Sequence, residues 1–193
     1  STHEKNLTLN STLYHVIKII EEQGDTVVDN FKIALGDDGA WKYTASGFTL
    51  NRFKADIFGQ SYINDLTSEQ LNISASDLME LLCSKEYYGI LDSKITASER
   101  KQYDLPESYT DKELLQLVTL RAAIAAYSFQ RYQSVTIAKN VSEETVARIM
   151  ENSARFQGID ISEEYRRVYA DAEYIAPLIG YTGQISAEEL ESL

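Results

Sequence analysis

Hydrophobic positions in the first part of the chain predict one helix followed by a β-hairpin. Apolar side chains recur at helical spacing from an Asn-Ser N-cap at residues 10–11 to a stop at Gly24. Residues 26–35 predict a strand, with clear alternation over the second half. The turn residues 36–39 and the aromatic residues that follow predict an antiparallel return strand over residues 40–44.

The middle of the chain is predicted to be mainly helical. Residues 48–90 have an irregular helical pattern, in which Ser76 is expected to cap one short helix. Thr110 and Glu113 form a capping box that opens the helix predicted to be the longest, which keeps the helical period to about Phe129. The many alanines in this helix predict close packing against its neighbours.

The last third mixes short strands with helices. Alternating apolar residues predict a strand over residues 133–138, and Ser142 with two following glutamates opens a helix. Further extended segments and short helices are predicted at residues 159–161, 165–169 and 174–179, and from residue 186 onward. This order predicts an elongated α+β fold with a small mixed or antiparallel sheet and an inserted helical head subdomain.

Composition and charge exclude several classes of protein. The 193 residues include 18 Lys+Arg and 30 Asp+Glu, which gives a formal net charge of −12. A chain this acidic argues against binding to duplex nucleic acid or to an anionic membrane face, because both need clustered cations. Hydrophobic residues make up 44% of the chain, enough for a globular core. No apolar run approaches the ~20 residues of a membrane-spanning helix.

Cysteine and histidine are too scarce for the commonest sites that use them. The lone Cys83 cannot form an internal disulfide, and its apolar helical surroundings favour a buried thiol over a nucleophile. The only histidines are His15 and His3, which falls in a start expected to be flexible, so no Cys/His zinc site can be assembled. We expect no metal and no cofactor.

Four segments of the last third are more informative in their order than any of them is alone. The first has an Ile-Ala step at residues 137–138 and leads into the helix that Ser142 opens. It is followed by a Gly-Ile turn and strand, an Arg-x-Tyr element, and a Gly-Tyr-x-Gly-x-Ile-Ser segment. The residues that define these motifs are Gly158, Arg167, Tyr169, Gly180, Tyr181 and Gly183.

This series resembles the non-catalytic pedestal, or dimerisation, domain of class B penicillin-binding proteins. By this resemblance residues 1–193 form one pedestal domain, with the helical head inserted at about residues 45–130. Ala170 stands where a proline follows Arg-x-Tyr in the family, and Pro177 stands where a histidine is common. The upstream Arg-Gly-x-Ile-x-Asp-Arg segment is missing, and a helix opened at residue 186 and cut short suggests that the natural protein continues.

The same motifs have a structural interpretation of their own. Gly180 and Gly183 permit backbone angles or close approaches that a side chain would block. Arg167 and Tyr169, two residues apart on an extended segment, are expected to point to the same face. From there the guanidinium is expected to brace carboxylates or carbonyls of a neighbouring strand in fork geometry. The motif residues therefore predict an architectural role.

The acyl-transfer motifs of penicillin-binding proteins are absent apart from one chance match. Catalysis needs Ser-x-x-Lys, Ser-x-Asn and Lys-Ser/Thr-Gly, because an amine must deprotonate the serine. Ser98 and Lys101 have the first spacing, but they lie in a charged stretch where a lysine stays solvated and protonated. The other two motifs occur nowhere in the sequence. We predict that this chain is not an enzyme and lacks the transpeptidase domain.

The resemblance also implies a setting and partners. The parent protein would be a peptidoglycan D,D-transpeptidase on the outer face of the cytoplasmic membrane, held by an N-terminal anchor not present in this chain. The pedestal would position the transpeptidase domain and contact the membrane glycosyltransferase and other cell-wall synthesis proteins. Self-association is left open, and no nucleic acid is expected.

Two other functions stay open on the sequence alone. A small hydrolase would use carboxylates among Glu143, Glu144, Glu163 and Glu164, although adjacent glutamates diverge around a helix and make a poor acid–base pair. A free-standing secreted binding module would have a cleavable signal in its gene and a stop near Leu193.

Overall fold

The structure is a computed structural model that describes residues 1–127, 133–162 and 167–171. The fold is α+β, as predicted. The helices are α1 (Thr2–Glu22), α2 (Gly47–Ile57), α3 (Ser68–Asn72), α4 (Ala75–Cys83), α5 (Ala97–Gln102), α6 (Asp111–Tyr127) and α7 (Glu143–Glu151). The strands are β1 (Ile33–Leu35), β2 (Trp41–Tyr43), β3 (Ser134–Ala138), β4 (Ile159–Ser162) and β5 (Arg167–Asp171).

The strands of the described residues form two small antiparallel sheets. β1 and β2 make the predicted hairpin, in which Ile33 is opposite Tyr43. The turn closes with a hydrogen bond from the Gly39 amide to the Gly36 carbonyl (2.9 Å), and Gly39 has a φ of +78°. The larger sheet has the order β3-β5-β4, with β5 in the centre.

α1 begins earlier than its sequence pattern predicts. Ser1 Oγ accepts a hydrogen bond from the Glu4 amide (3.3 Å), and the Glu4 side chain accepts one from the Ser1 amine (2.7 Å). The predicted N-cap at Asn10 is wrong, because Asn10 is buried within the helix and its side-chain Nδ2 donates to the Tyr88 carbonyl (3.0 Å). The first residues, including His3, are therefore helical rather than flexible.

α6 begins where the capping box predicts. Thr110 Oγ1 accepts from the Glu113 amide (3.2 Å), and the Glu113 carboxylate accepts from the Thr110 amide (2.9 Å). α6 has 17 residues and α1 has 21, so within the described residues α1 is the longest helix, owing to its early start. α4 is capped by Ser74 rather than by the predicted Ser76, since Ser74 Oγ accepts from the Asp77 amide (3.0 Å).

The segment predicted as one strand over residues 26–35 is divided between the two sheets. Only its last three residues form β1. Val27 makes an isolated antiparallel bridge with Ala138 at the edge of β3, and the Val28 amide donates to the Ile137 carbonyl (2.8 Å). The chain therefore leaves the larger sheet before it enters the hairpin, and local alternation carries no information about which sheet a residue joins.

One cluster of buried apolar side chains joins the helices to the larger sheet. It draws on α1, α4, α6 and α7 and on strands β1, β3 and β5. Fully burying each large aliphatic side chain stabilises the fold by about 1.5–3 kcal/mol. The predicted head at residues 45–130 shares this core with α1 and the sheet, and its boundaries stay a prediction. The segments predicted at residues 174–179 and from 186 lie outside the described residues.

Candidate functional site

The central strand β5 carries two of the predicted motif residues. Arg167 and Tyr169 lie opposite Ser162 and Asp160 of β4. Val168, between them, is fully buried, whereas Arg167 and Tyr169 are both only partly buried. Successive strand residues alternate between faces, so Arg167 and Tyr169 share the face opposite to the core. The bracing role of the Arg167 guanidinium stays a prediction.

Gly158 lies in the turn between α7 and β4. Its φ of +86° falls in the left-handed region, where glycine is unstrained and a residue with a Cβ is not. The Ile159 amide donates to the carbonyl of Phe156 (3.1 Å), and Phe156 is buried. The turn therefore fixes where β4 starts. The other predicted motif residues lie outside the described residues: Gly180, Tyr181 and Gly183.

A single carboxylate ties the end of α1 to the start of α7. Asp25 Oδ2 accepts hydrogen bonds from the Ser142 amide (2.8 Å), Ser142 Oγ (2.9 Å) and Thr145 Oγ1 (2.5 Å). Burial alone would raise the pKa of Asp25, but the bonds from Thr145 and Ser142 outweigh it and hold that pKa below its usual value. Asp25 thus binds Ser142, the N-cap residue of α7, and the first turn of that helix, and places α7 against the end of α1.

A buried guanidinium joins α1, α6 and the segment after α4. Arg121 of α6 is 2% exposed. Its Nη1 donates to Asn10 Oδ1 and to the Tyr88 carbonyl (2.9 Å), and its Nη2 donates to Asn6 Oδ1 (2.7 Å). The guanidinium carbon also lies 5.0 Å from the centre of the Tyr88 ring. Three segments that are distant in sequence therefore share one polar anchor inside the apolar core.

In the described part of the chain, the guanidinium of this anchor is held by neutral groups. No carboxylate of the described residues pairs with Arg121, and its buried Nε has no hydrogen-bond partner there. Burial lowers the pKa of Arg121 to about 10, because the charged form loses its hydration. The side chain is still cationic at neutral pH, held by neutral oxygens and an aromatic ring.

Sequence reasoning did not single out Arg121 as an anchor. In the sequence it is one member of the helical period of α6, between Leu117 and Ile124. The sequence signal that could have identified this anchor is the position of Arg121, a cation on a stripe of otherwise apolar side chains. Its partners Asn6 and Asn10 are four residues apart, on one face of α1, which is the corresponding signal on the other helix.

Both histidines hold the segment around α5 against α1. His3 Nε2 lies 2.9 Å from Glu99 Oε1, and His3 Nδ1 lies 3.4 Å from Asp92 Oδ2. His15 Nε2 lies 2.7 Å from the carbonyl oxygen of Asp104. The described residues contain no group of three or more His, Cys, Asp or Glu that could hold a metal ion. The two imidazoles are thus contacts between elements.

Comparison with families of known proteins gives a match over most of the chain. Residues 11–193 match the family model described as the penicillin-binding protein dimerisation domain. The chain belongs to this family. Comparison with curated proteins and with solved structures gave no significant match.

The dimerisation domain is a non-catalytic part of penicillin-binding proteins, which agrees with the prediction that this chain is not an enzyme. Ser98 and Lys101 are both exposed on the six-residue helix α5. Of the carboxylates considered for a hydrolase, Glu143 and Glu144 are exposed in the first turn of α7, and residues 163 and 164 lie outside the described ranges. None of these described side chains lies in a buried site.

The single thiol of this dimerisation domain lies in its interior. Cys83 is buried, as its apolar surroundings predict, and burial raises the pKa of its thiol to about 12. Among the described residues, no helix combines the length and the apolar character that crossing a membrane requires.

Proposed function

We propose that this chain is the pedestal of a class B penicillin-binding protein that positions a peptidoglycan D,D-transpeptidase domain. The observation that carries the proposal is the family match over residues 11–193, together with the order of motifs from residue 137 onward. The pedestal also contacts cell-wall synthesis partners, foremost the membrane glycosyltransferase, at the outer face of the cytoplasmic membrane.

The contacts between elements support a positioning role. A domain that holds another domain in a fixed position and orientation must itself be rigid. Its helices and strands must therefore not shift against one another. The Arg121 anchor fixes α6 to α1, and Asp25 fixes α7 to the end of α1. The buried apolar cluster then continues from these helices to β3 and β5. The net charge of −12 is consistent with a body kept off anionic lipid.

The catalytic part of the proposal is tested on the full-length parent protein. We expect its gene to encode Ser-x-x-Lys, Ser-x-Asn and Lys-Ser/Thr-Gly downstream of this chain. Fluorescent penicillin should label the parent, and replacement of the downstream serine should abolish labelling. Ser98→Ala should leave it unchanged. A parent without the downstream motifs, or labelling lost in Ser98→Ala, would refute the proposal.

The positioning role needs a separate measurement. We would replace the pedestal in the parent by an unrelated helical domain and compare penicillin labelling with growth of cells that depend on the parent. Retained labelling with lost growth is the expected pair of results. Normal growth with the replacement would show that the pedestal positions nothing essential.

A further inference from the structure

An open groove runs between α2 and α6. Residues of α2 at helical spacing form one wall, and small residues of α6 at helical spacing form the other. The groove has a volume of about 500 Å³. The side chains that define it are Phe31, Phe48, Phe53, Ala122, Ala123 and Ala126. Phe31 and Phe53, two of these lining residues, are in edge-to-face contact with ring centroids 5.0 Å apart.

Phe48 is the most exposed large apolar side chain of the described residues, at 75%. It lies in the first turn of α2 and lines the groove. One turn further along α2, Arg52 is held by Asp56 (2.7 Å) and by the carbonyl of Ser61 (2.9 Å). Aromatic residues, including Phe, and arginine are both enriched in the cores of protein interfaces.

The charge of the groove is opposite in sign to that of the chain. Its charged lining residues are Lys32, Arg52 and Asp56, which sum to +1 on a chain of −12. Arg52 and Asp56 neutralise each other. Lys32 is exposed and makes no ion pair with a described residue. A bound segment with a carboxylate near Lys32 would form an ion pair at this edge of the groove.

We propose that the groove binds an amphipathic helix of a partner protein, with its apolar face on the phenylalanines and an acidic residue facing Lys32. This inference rests on the proposed function, because it names the kind of partner segment that the pedestal contacts. Two helical walls accept a third helix by ridge-into-groove packing, and the alanines of α6 let its backbone approach closely. A second copy is disfavoured, since each copy carries a charge of −12.

The first test uses designed peptides with the whole chain. α2 has 11 residues, which at about 1.5 Å per residue gives a groove of roughly 16 Å. We would therefore use fluorescent helical peptides of about 14 residues with one apolar face. One set carries glutamates along the flanks of that face, and its twin carries lysines. Fluorescence polarisation should show that the acidic set binds more tightly. Equal or reversed affinity would overturn the charge argument.

Variants locate the binding. Phe48→Ser should weaken the acidic peptides about tenfold or more, and Lys32→Glu should remove the preference for acidic over basic flanks. The matched control is Met150→Ser on α7, which removes another exposed apolar side chain, 62% exposed, outside the groove. All three positions are exposed, so thermal unfolding should be unchanged. If Met150→Ser weakened binding of the acidic peptides as much as Phe48→Ser does, the groove would not be the binding site.

Photo-crosslinking identifies the occupant in cells that carry the full-length parent. A photoreactive phenylalanine at position 48 should capture another protein through a helical segment, and the same residue at Leu91, 52% exposed, serves as control. Capture of a second copy, or of nothing, would overturn the inference. Capture of a partner only from position 91 would overturn the groove as the binding site and would not contradict the proposed function. A parent without transpeptidase motifs would refute the proposed function, whatever the groove binds.

Discussion

Arg121 Nη2 and Asn6 Oδ1 lie 2.7 Å apart, although 115 positions separate them in the chain. The contact joins the two longest helices of the described residues inside an apolar core. A buried cation that is satisfied by neutral oxygens tolerates little change in geometry, because each lost acceptor leaves part of the charge without compensation. The relationship therefore fixes how α1 and α6 sit against each other.

Removal of the Arg121 side chain should destabilise the domain strongly. Arg121→Ala leaves a cavity and deprives the Asn6 and Asn10 side-chain oxygens of their donor, so we expect a loss of about 3–5 kcal/mol in the free energy of unfolding. Denaturant titration of the whole chain measures it. Arg148→Ala is the control, because Arg148 is exposed and its 3.8 Å ion pair with Glu22 is worth little. A loss under about 1 kcal/mol for Arg121→Ala would contradict the anchor.

Gly89→Ala should cost more than an ordinary glycine replacement. Gly89 has a φ of +62°, and a Cβ there would lie 3.0 Å from Asn6 Nδ2, against the Arg121 anchor. Gly59 is a matched control, because its φ is +66° but a Cβ would meet nothing within 4 Å. Both variants carry the backbone strain of about 1 kcal/mol. We expect the free energy of unfolding of Gly89→Ala to be lower than that of Gly59→Ala by about 1 kcal/mol, as measured by urea unfolding. Equal losses would refute crowding at Asn6.

Asp25 should make stability depend on pH in the acidic range. Its folded-state pKa is depressed, so its contribution is present above the unfolded-state value of about 4 and is lost as pH falls through the folded value. At pH 7 Asp25→Ala should lose about 1–2 kcal/mol, a figure reduced for partial exposure. The difference from wild type should shrink below about pH 4.

The control for Asp25 is Asp29→Ala. Asp29 is exposed, so this variant should unfold like wild type at every pH. Equilibrium unfolding between pH 2.5 and pH 7 is the measurement, in steps of about half a unit around the unfolded-state pKa. A penalty for Asp25→Ala that stays constant across the range would show that the charge of the carboxylate is not what holds the start of α7.

The Cys83 thiol should be inert in the native state. It is buried and its pKa is raised to about 12, so both access and the thiolate fraction are low. Iodoacetamide at pH 8 should therefore modify Cys83 only through the small population of opened molecules, far more slowly than a free thiol, and urea above the unfolding midpoint should give labelling at the rate of a free thiol. Mass spectrometry of the intact chain follows both. Fast labelling without urea would contradict the buried position.

The elements of the fold follow closely from local patterns. The capping box at Thr110, the turn at residues 36–39 and the strand at residues 133–138 all lie where the sequence places them. The errors arise where a signal has two local interpretations. Asn10 can cap a helix or make a tertiary contact, and the structure has the contact with Tyr88. Ser74 and Ser76 are both suitable N-caps two residues apart, and the structure uses Ser74.

By itself, the sequence determined the fold class, the family and the positions of most described elements, because hydrophobic period, caps and turns act between residues close in the chain. Tertiary structure alone decided that Arg121 meets Asn6 and that Asp25 meets Thr145. Such pairs depend on how helices pack, and packing is set by the whole core rather than by neighbouring residues. The groove beside Phe48 is a product of the same packing.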